Sequence, residues 1–138
     1  MSVIACCTDQ FKEDFLNGRA FSSDTMMIAL YLSTGATLGP TTAVYTATGE
    51  VSGVGYSAGG QALSGFTVGL SSNTAYLTWS NPVWGPPATI TADTAVIYDA
   101  SNSNHTLAVL SFGLSTSSAG TFTVQFPAAG ASSTITAT

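Results

Sequence analysis

At 138 residues the chain is long enough for one domain with a buried core, and a 45% hydrophobic content excludes a disordered chain. Only 7% of its residues are charged, against roughly a quarter in an average soluble domain, and the formal net charge is −5. Both basic residues, Lys12 and Arg19, fall in the opening segment, so nothing after Arg19 can neutralise phosphates. Nucleic acid is thereby excluded as a partner of the body, and the acidic balance argues against an anionic membrane surface.

In chain order, Met1 to Cys7 is apolar but short. It lacks a basic n-region and a small-residue cleavage site, so it does not read as a secretory signal, and no other stretch is long and apolar enough to span a bilayer. Cys6 and Cys7 are adjacent, and a bridge between neighbours would close a strained ring. They read as thiols of a chain made in a reducing cytoplasm, with a bridge between subunits as the alternative.

Thr8 to Asn17 is predicted to be a short amphipathic helix. Thr8 or Asp9 caps it, Phe11, Phe15 and Leu16 form an apolar stripe, and Gly18 ends it. After Asp24 the texture changes to short β-rich runs separated by Gly, Pro, Asn and Ser. Thr25 to Ser33 has apolar residues at both parities, which predicts a central strand covered on both faces. Val44 to Thr46 is a short strand, and Gly49 to Gly60 a glycine-dense loop. Gln61 to Leu70 and Ala75 to Trp79 are strands joined by a turn at Ser71-Ser72-Asn73. Asn81 to Pro87, with three prolines, is expected to be extended and unpaired.

Ala88 to Ala92 and Ala95 to Ala100 follow as strands. A turn at Ser101 to Asn104 then makes a hairpin with Thr106 to Phe112. Gly120 to Phe126 alternates strictly, which places Phe122, Val124 and Phe126 inward and Thr121, Thr123 and Gln125 outward. A last short strand spans Ser133 to Thr136. Short strands at this spacing predict a mainly β chain: an antiparallel two-sheet β-sandwich, jelly-roll or Ig-like, at residues 25–138, preceded by an N-terminal arm at residues 1–24 that carries the helix.

No constellation carries chemistry. His105, the single histidine, reads as an exposed turn residue rather than a base paired with Asp99. The carboxylates of the β body, Glu50, Asp93 and Asp99, are far apart in sequence, and no clustered His, Cys or carboxylate ligands suggest a metal. The glycines at 53, 55, 59 and 60 do not form a phosphate-binding fingerprint and read as permission for positive φ. Catalytic, cofactor-binding and metal residues are therefore all expected to be absent. Trp79, Trp84, Tyr76 and Tyr56 could build a sugar-stacking platform, although aromatic residues more often fill cores and protein interfaces. Phe11, Phe15, Trp84 and Tyr56 are the candidate partner-interface residues, with Trp84 favoured by its proline-flanked segment.

The succession "FKEDFLNGRAF", "DTMMIALYLSTGATLGPTTAVYTATGEVSGVGYSAGG", "AVIYDASNSNHTLAVLSFG" and "GTFTVQFPAAG" resembles a family of small virion proteins encoded in the structural gene clusters of tailed bacteriophages and prophages. The resemblance runs from Phe11 to Ala131. Its most telling parts are the helix followed by the "IALY" strand, the loop from Glu50 to Tyr56, and the strand from Phe122 to Pro127. It implies a class of part rather than a reaction. That part is a capsid decoration, or cement, protein on the outside of the head, made in the host cytoplasm. Its implied partners are the major capsid protein and further copies of itself, with no cofactor, nucleic acid or membrane. A tail or head-fibre component acting in host attachment or glycan binding is the second reading.

Overall fold

The computed structural model describes residues 4–137, with side chains from Cys7 to Thr136. The start of the Met1–Cys7 segment, the side chain of Cys6 and the extreme C-terminus lie outside the described residues. The chain is mainly β: two antiparallel sheets and one short helix, as expected for a sandwich. The larger sheet has the order β1 (Ile4–Cys7), β7 (His105–Thr123), β6 (Val83–Asp99), β2 (Met26–Tyr31) and β3 (Gln61–Ala62). The smaller has the order β4 (Thr67–Ser71), β5 (Thr74–Thr78) and β8 (Ile135–Ala137).

The central prediction for β2 holds, and its cause is visible in the packing. Met26, Ile28 and Leu30 enter the main core with Ile90, Ile97, Leu107 and Leu110. On the other face, Ala29 and Tyr31 join Val96, Tyr98 and Val109 in a second cluster, packed against Leu38 and Tyr45. A strand buried on both faces needs apolar residues at both parities, and β2 supplies them.

The dominant element is the β6–β7 hairpin, longer than expected. Ala88–Ala92 and Ala95–Ala100, expected as separate strands, are one continuous β6, and the two expected strands on the return are likewise one β7. The apparent breaks are bulges. Ala92 pairs with Ser115 but Thr94 with Ser111, so extra residues on β7 are accommodated around Gly113, whose φ is +76°. The expectation that Asn81–Pro87 would be unpaired is corrected: Val83 pairs with Thr123 and Trp84 with Phe122. The next partners are Ala88 and Gly120, so Gly85, Pro86 and Pro87 bulge out of the ladder. Proline cannot donate to a ladder but is tolerated in a bulge. The run Gln61–Leu70, expected as one strand, is split into β3 and β4, and Val44 makes only an isolated bridge to His105.

The glycine-dense loop is an irregular cover for the exposed edge of β2. The Val51 N–H donates to the Leu30 carbonyl (2.9 Å), the Leu32 N–H to the Gly49 carbonyl (3.2 Å), and β3 then pairs with Met27 and Ile28. Gly60, at φ +78°, passes so close to β2 that a Cβ would collide with the Ile28 carbonyl. Only glycine meets both conditions.

The helix α1 (Asp9–Leu16) forms as predicted, and the Thr8 hydroxyl joins it to the sandwich. It accepts from the Phe11 N–H (3.2 Å) and donates to the Thr106 carbonyl (2.8 Å). Thr8 is fully buried and Phe11 lies in the main core beside Phe21. The helix therefore packs on the body of the domain.

Candidate interaction surface

Three structured regions place the side chains that sequence reasoning singled out. The first centres on Glu50. Its carboxylate accepts from the hydroxyls of Tyr45 and Tyr56 (2.6 Å each) and from the Gly59 N–H (2.7 Å). The Tyr56 hydroxyl in turn accepts from the Leu30 N–H (2.9 Å), and Tyr98 donates to the Gly59 carbonyl (2.7 Å). Burial and the Glu50 hydrogen bond push the Tyr45 hydroxyl up to about 12, and burial followed by the Glu50 charge also raises Tyr31 and Tyr98. Burial and the Glu50 hydrogen bond raise Tyr56 as well. These phenols therefore stay protonated and remain donors at physiological pH. The Glu50–Tyr56 segment is an anchor for the loop. Tyr56, expected at a partner interface, is half-buried against the main core, 6.2 Å from the Trp84 ring.

The second region joins the N-terminal segment to the hairpin turn. His105 opens β7, and its Nδ1 lies 3.0 Å from Asp14 Oδ2 on α1, which also accepts from Asn102 (3.0 Å). The reading of His105 as a simply exposed turn residue is corrected by this half-buried contact. Arg19 pairs with Asp24 at 2.8 Å and stands 3.8 Å from Asp99, whose side chain is wholly buried. Asp99 Oδ1 accepts from the Ser101 N–H (2.9 Å), while Oδ2 has no hydrogen-bond partner. Burial first, and then the neighbouring Asp24 carboxyl, push Asp99 up to about 6.

With a folded-state pKa above its unfolded value, Asp99 contributes stability that is fully present below about 4 and is lost as pH rises through about 6. Asp99→Asn is therefore expected to match the wild type near pH 4 and to be the more stable of the two at pH 7.5. Urea titrations at the two pH values measure this. A difference that does not change with pH would show that the Asp99 carboxyl titrates alike in the folded and unfolded chain.

Asp93 performs a smaller service. Burial opposes its charge, but the Ser33 N–H (2.8 Å), the Ser33 hydroxyl (2.6 Å) and the Thr94 hydroxyl (2.9 Å) outweigh that and hold it below the ordinary carboxylate range. Each carboxylate of the β body thus ties down a loop or turn.

The third region is apolar and open. Phe11, Phe15, Val68, Ala75, Leu77 and Ile135 line a groove of about 100 Å³ between α1 and the smaller sheet. Phe11 forms its floor, whereas Phe15 is 55% exposed at its rim. Val68 and Leu70 on β4 are 62% and 77% exposed.

Of the expected interface residues, Phe15 alone is strongly exposed. Trp84 is corrected: it is only 4% exposed, packed against Phe122 and Tyr56, because β6 carries it inward. Trp79 is likewise buried, between Phe66 and Phe126, so the proposed aromatic platform does not exist as a surface. Sequence reasoning missed Val68 and Leu70. Their signal was two apolar residues of equal parity in a strand whose other face is Thr, Gly and Ser. Among the described residues no group of three or more His, Cys, Asp or Glu could hold a metal, and no helix is long and apolar enough to cross a membrane. No family model, curated protein or solved structure matches the chain.

Proposed function

We propose that this chain is a structural protein of a tailed-phage virion, a capsid decoration protein that binds the outer lattice of the major capsid protein and copies of itself. The observation that carries the reading is the open apolar surface of Phe15, Val68 and Leu70 on a body almost without charge. Apolar area is what a protein partner buries, and a charge-poor surround lets a wide contact form without desolvating many ions. The resemblance of Phe11–Ala131 to small virion proteins supplies the partner. A lattice offers many equivalent sites, so contacts of modest strength suffice when several act together.

The body suits mechanical duty. Its long hairpin is bulged but paired along its length, and hydrogen bonds accepted by Glu50, Asp93 and Asp99 fasten its loops and turns. The glycan-binding alternative loses its main support because Trp79 and Trp84 are buried. Co-sedimentation of the purified chain with phage heads stripped of it tests the proposal. Saturable retention on heads is the expected result, and absence of retention would overturn it.

A further inference from the structure

The smaller sheet ends on one side at β4. Among the described residues no backbone hydrogen bond reaches β4 other than its ladder to β5. An antiparallel edge turns the N–H and C=O groups of alternate residues outward, where they await a partner. Natural edges are usually blunted by a charge, a proline, a bulge or brevity. β3 is blunted by brevity, at two residues. β4 has five residues, Thr67-Val68-Gly69-Leu70-Ser71, with no charge, no proline and no bulge in its register.

The charge distribution indicates what covers it. No residue between Glu50 and Asp93 is charged, and none follows Asp99, so β4, β5 and β8 are wholly uncharged. Copies of a chain with net charge −5 repel each other in most orientations. The strands of the smaller sheet can therefore pair between two copies without setting like charges opposite each other.

The sequence of β4 also suits pairing with itself. An antiparallel twofold centred on Gly69 sets Val68 opposite Leu70 of the second copy and Thr67 opposite its Ser71. The pairing is isologous, with each contact made twice. Val68 and Leu70 share the face of their cross-strand partners Leu77 and Ala75, so both exposed side chains would be covered in one event. Gly69 adds no bulk at the axis, and its neighbour Tyr76 already occupies the space a Cβ would take. Such an arrangement satisfies the outward backbone groups and the apolar pair together.

We infer that β4 is a homodimerisation edge, on which a second copy of this chain pairs antiparallel about Gly69 and joins the two smaller sheets into one. The inference deepens the functional reading above, in which copies of the chain associate on the virion, but it concerns association in solution. Sedimentation velocity of the full chain over a concentration series, with hydrogen exchange followed at β4, tests it. A dimer is expected, with the amides of residues 67–71 gaining protection as concentration rises.

Leu70→Lys and, separately, Val68→Lys are expected to weaken the dimer by at least about tenfold. Because both positions are exposed, the unfolding midpoint measured under monomeric conditions should stay unchanged. A wild-type chain that remains monomeric at the highest concentration reached would overturn the inference. So would a dimer that resists both substitutions and leaves β4 unprotected. A chain that dimerises as described but fails to attach to heads would support this edge and count against the virion reading alone.

Discussion

Replacing Trp84 with alanine is expected to destabilise the domain by about 3–5 kcal/mol, the range for emptying a large aromatic site in a packed core. Trp84 is 4% exposed and belongs to a continuous run of aromatic contacts. Its ring lies 6.2 Å from Tyr56 on one side and 6.2 Å from Phe122 on the other, and Phe122 meets Phe112 at the same distance. Removing the indole would therefore loosen both strands of the hairpin and the Tyr56 anchor of the loop. Its Nε1 has no hydrogen-bond partner, which offsets part of the loss, since an unpaired buried donor is itself costly. A two-state urea titration checks the value. A loss below about 1 kcal/mol would return Trp84 to the surface, where its proline-rich setting suggests it belongs.

Deleting residues 2–17 is expected to abolish cooperative unfolding rather than only association. The deletion removes β1, which pairs with β7 from Ile4↔Ser111 to Cys7↔Ala108 and forms one edge of the larger sheet. It also removes Phe11 from the core and the Thr8 hydroxyl that satisfies Thr106. Asp14, the partner of His105 and Asn102, is lost with them. A helix of eight residues gains its stability from such packing rather than from its own hydrogen bonds. Circular dichroism during thermal unfolding is the measurement. A truncated chain that still melted in one sharp transition would mean that the segment is an arm for neighbours and that its contacts are dispensable to the fold.

Much of this architecture was legible in the sequence because it follows from local rules. The cap at Thr8, the stop at Gly18, the doubly buried β2 and the turn at Ser101–Asn104 each depend on a few adjacent residues. The alternation at Phe122 and Val124 also held, with Phe126 half-buried against Trp79. What escaped depends on distant partners. Prolines 86 and 87 look like strand breakers until β7 is known to run past a bulge that needs no donor from them. Asp93 and Gly113 look like boundaries between strands, yet one lies within β6 and the other in a bulge of β7.

The charged and aromatic residues show the same limit. Glu50 is the only carboxylate between Asp24 and Asp93, and Tyr31, Tyr45, Tyr56 and Tyr98 are spread along the chain. Nothing in their spacing announces that two hydroxyls and one backbone N–H converge on that carboxylate. His105 and Asp99 are cross-strand partners, yet their side chains turn to Asp14 on one hand and to Arg19 and Asp24 on the other. Phe15 stands apart from the solvent-facing charges of α1, but its neighbours in the groove come from β4, β5 and β8, all distant in the chain.

A hydrogen-bonded, charge-poor body carries an open apolar face made by α1 and β4, and we propose that this face seats the chain on a particle. Cryo-electron microscopy of virions assembled with and without the chain tests that most directly. The expected result is density on the outer surface of the head, repeated with the lattice of the major capsid protein, into which the sandwich fits with Phe15, Val68 and Leu70 covered. Heads identical in both preparations, or density confined to the tail, would contradict it.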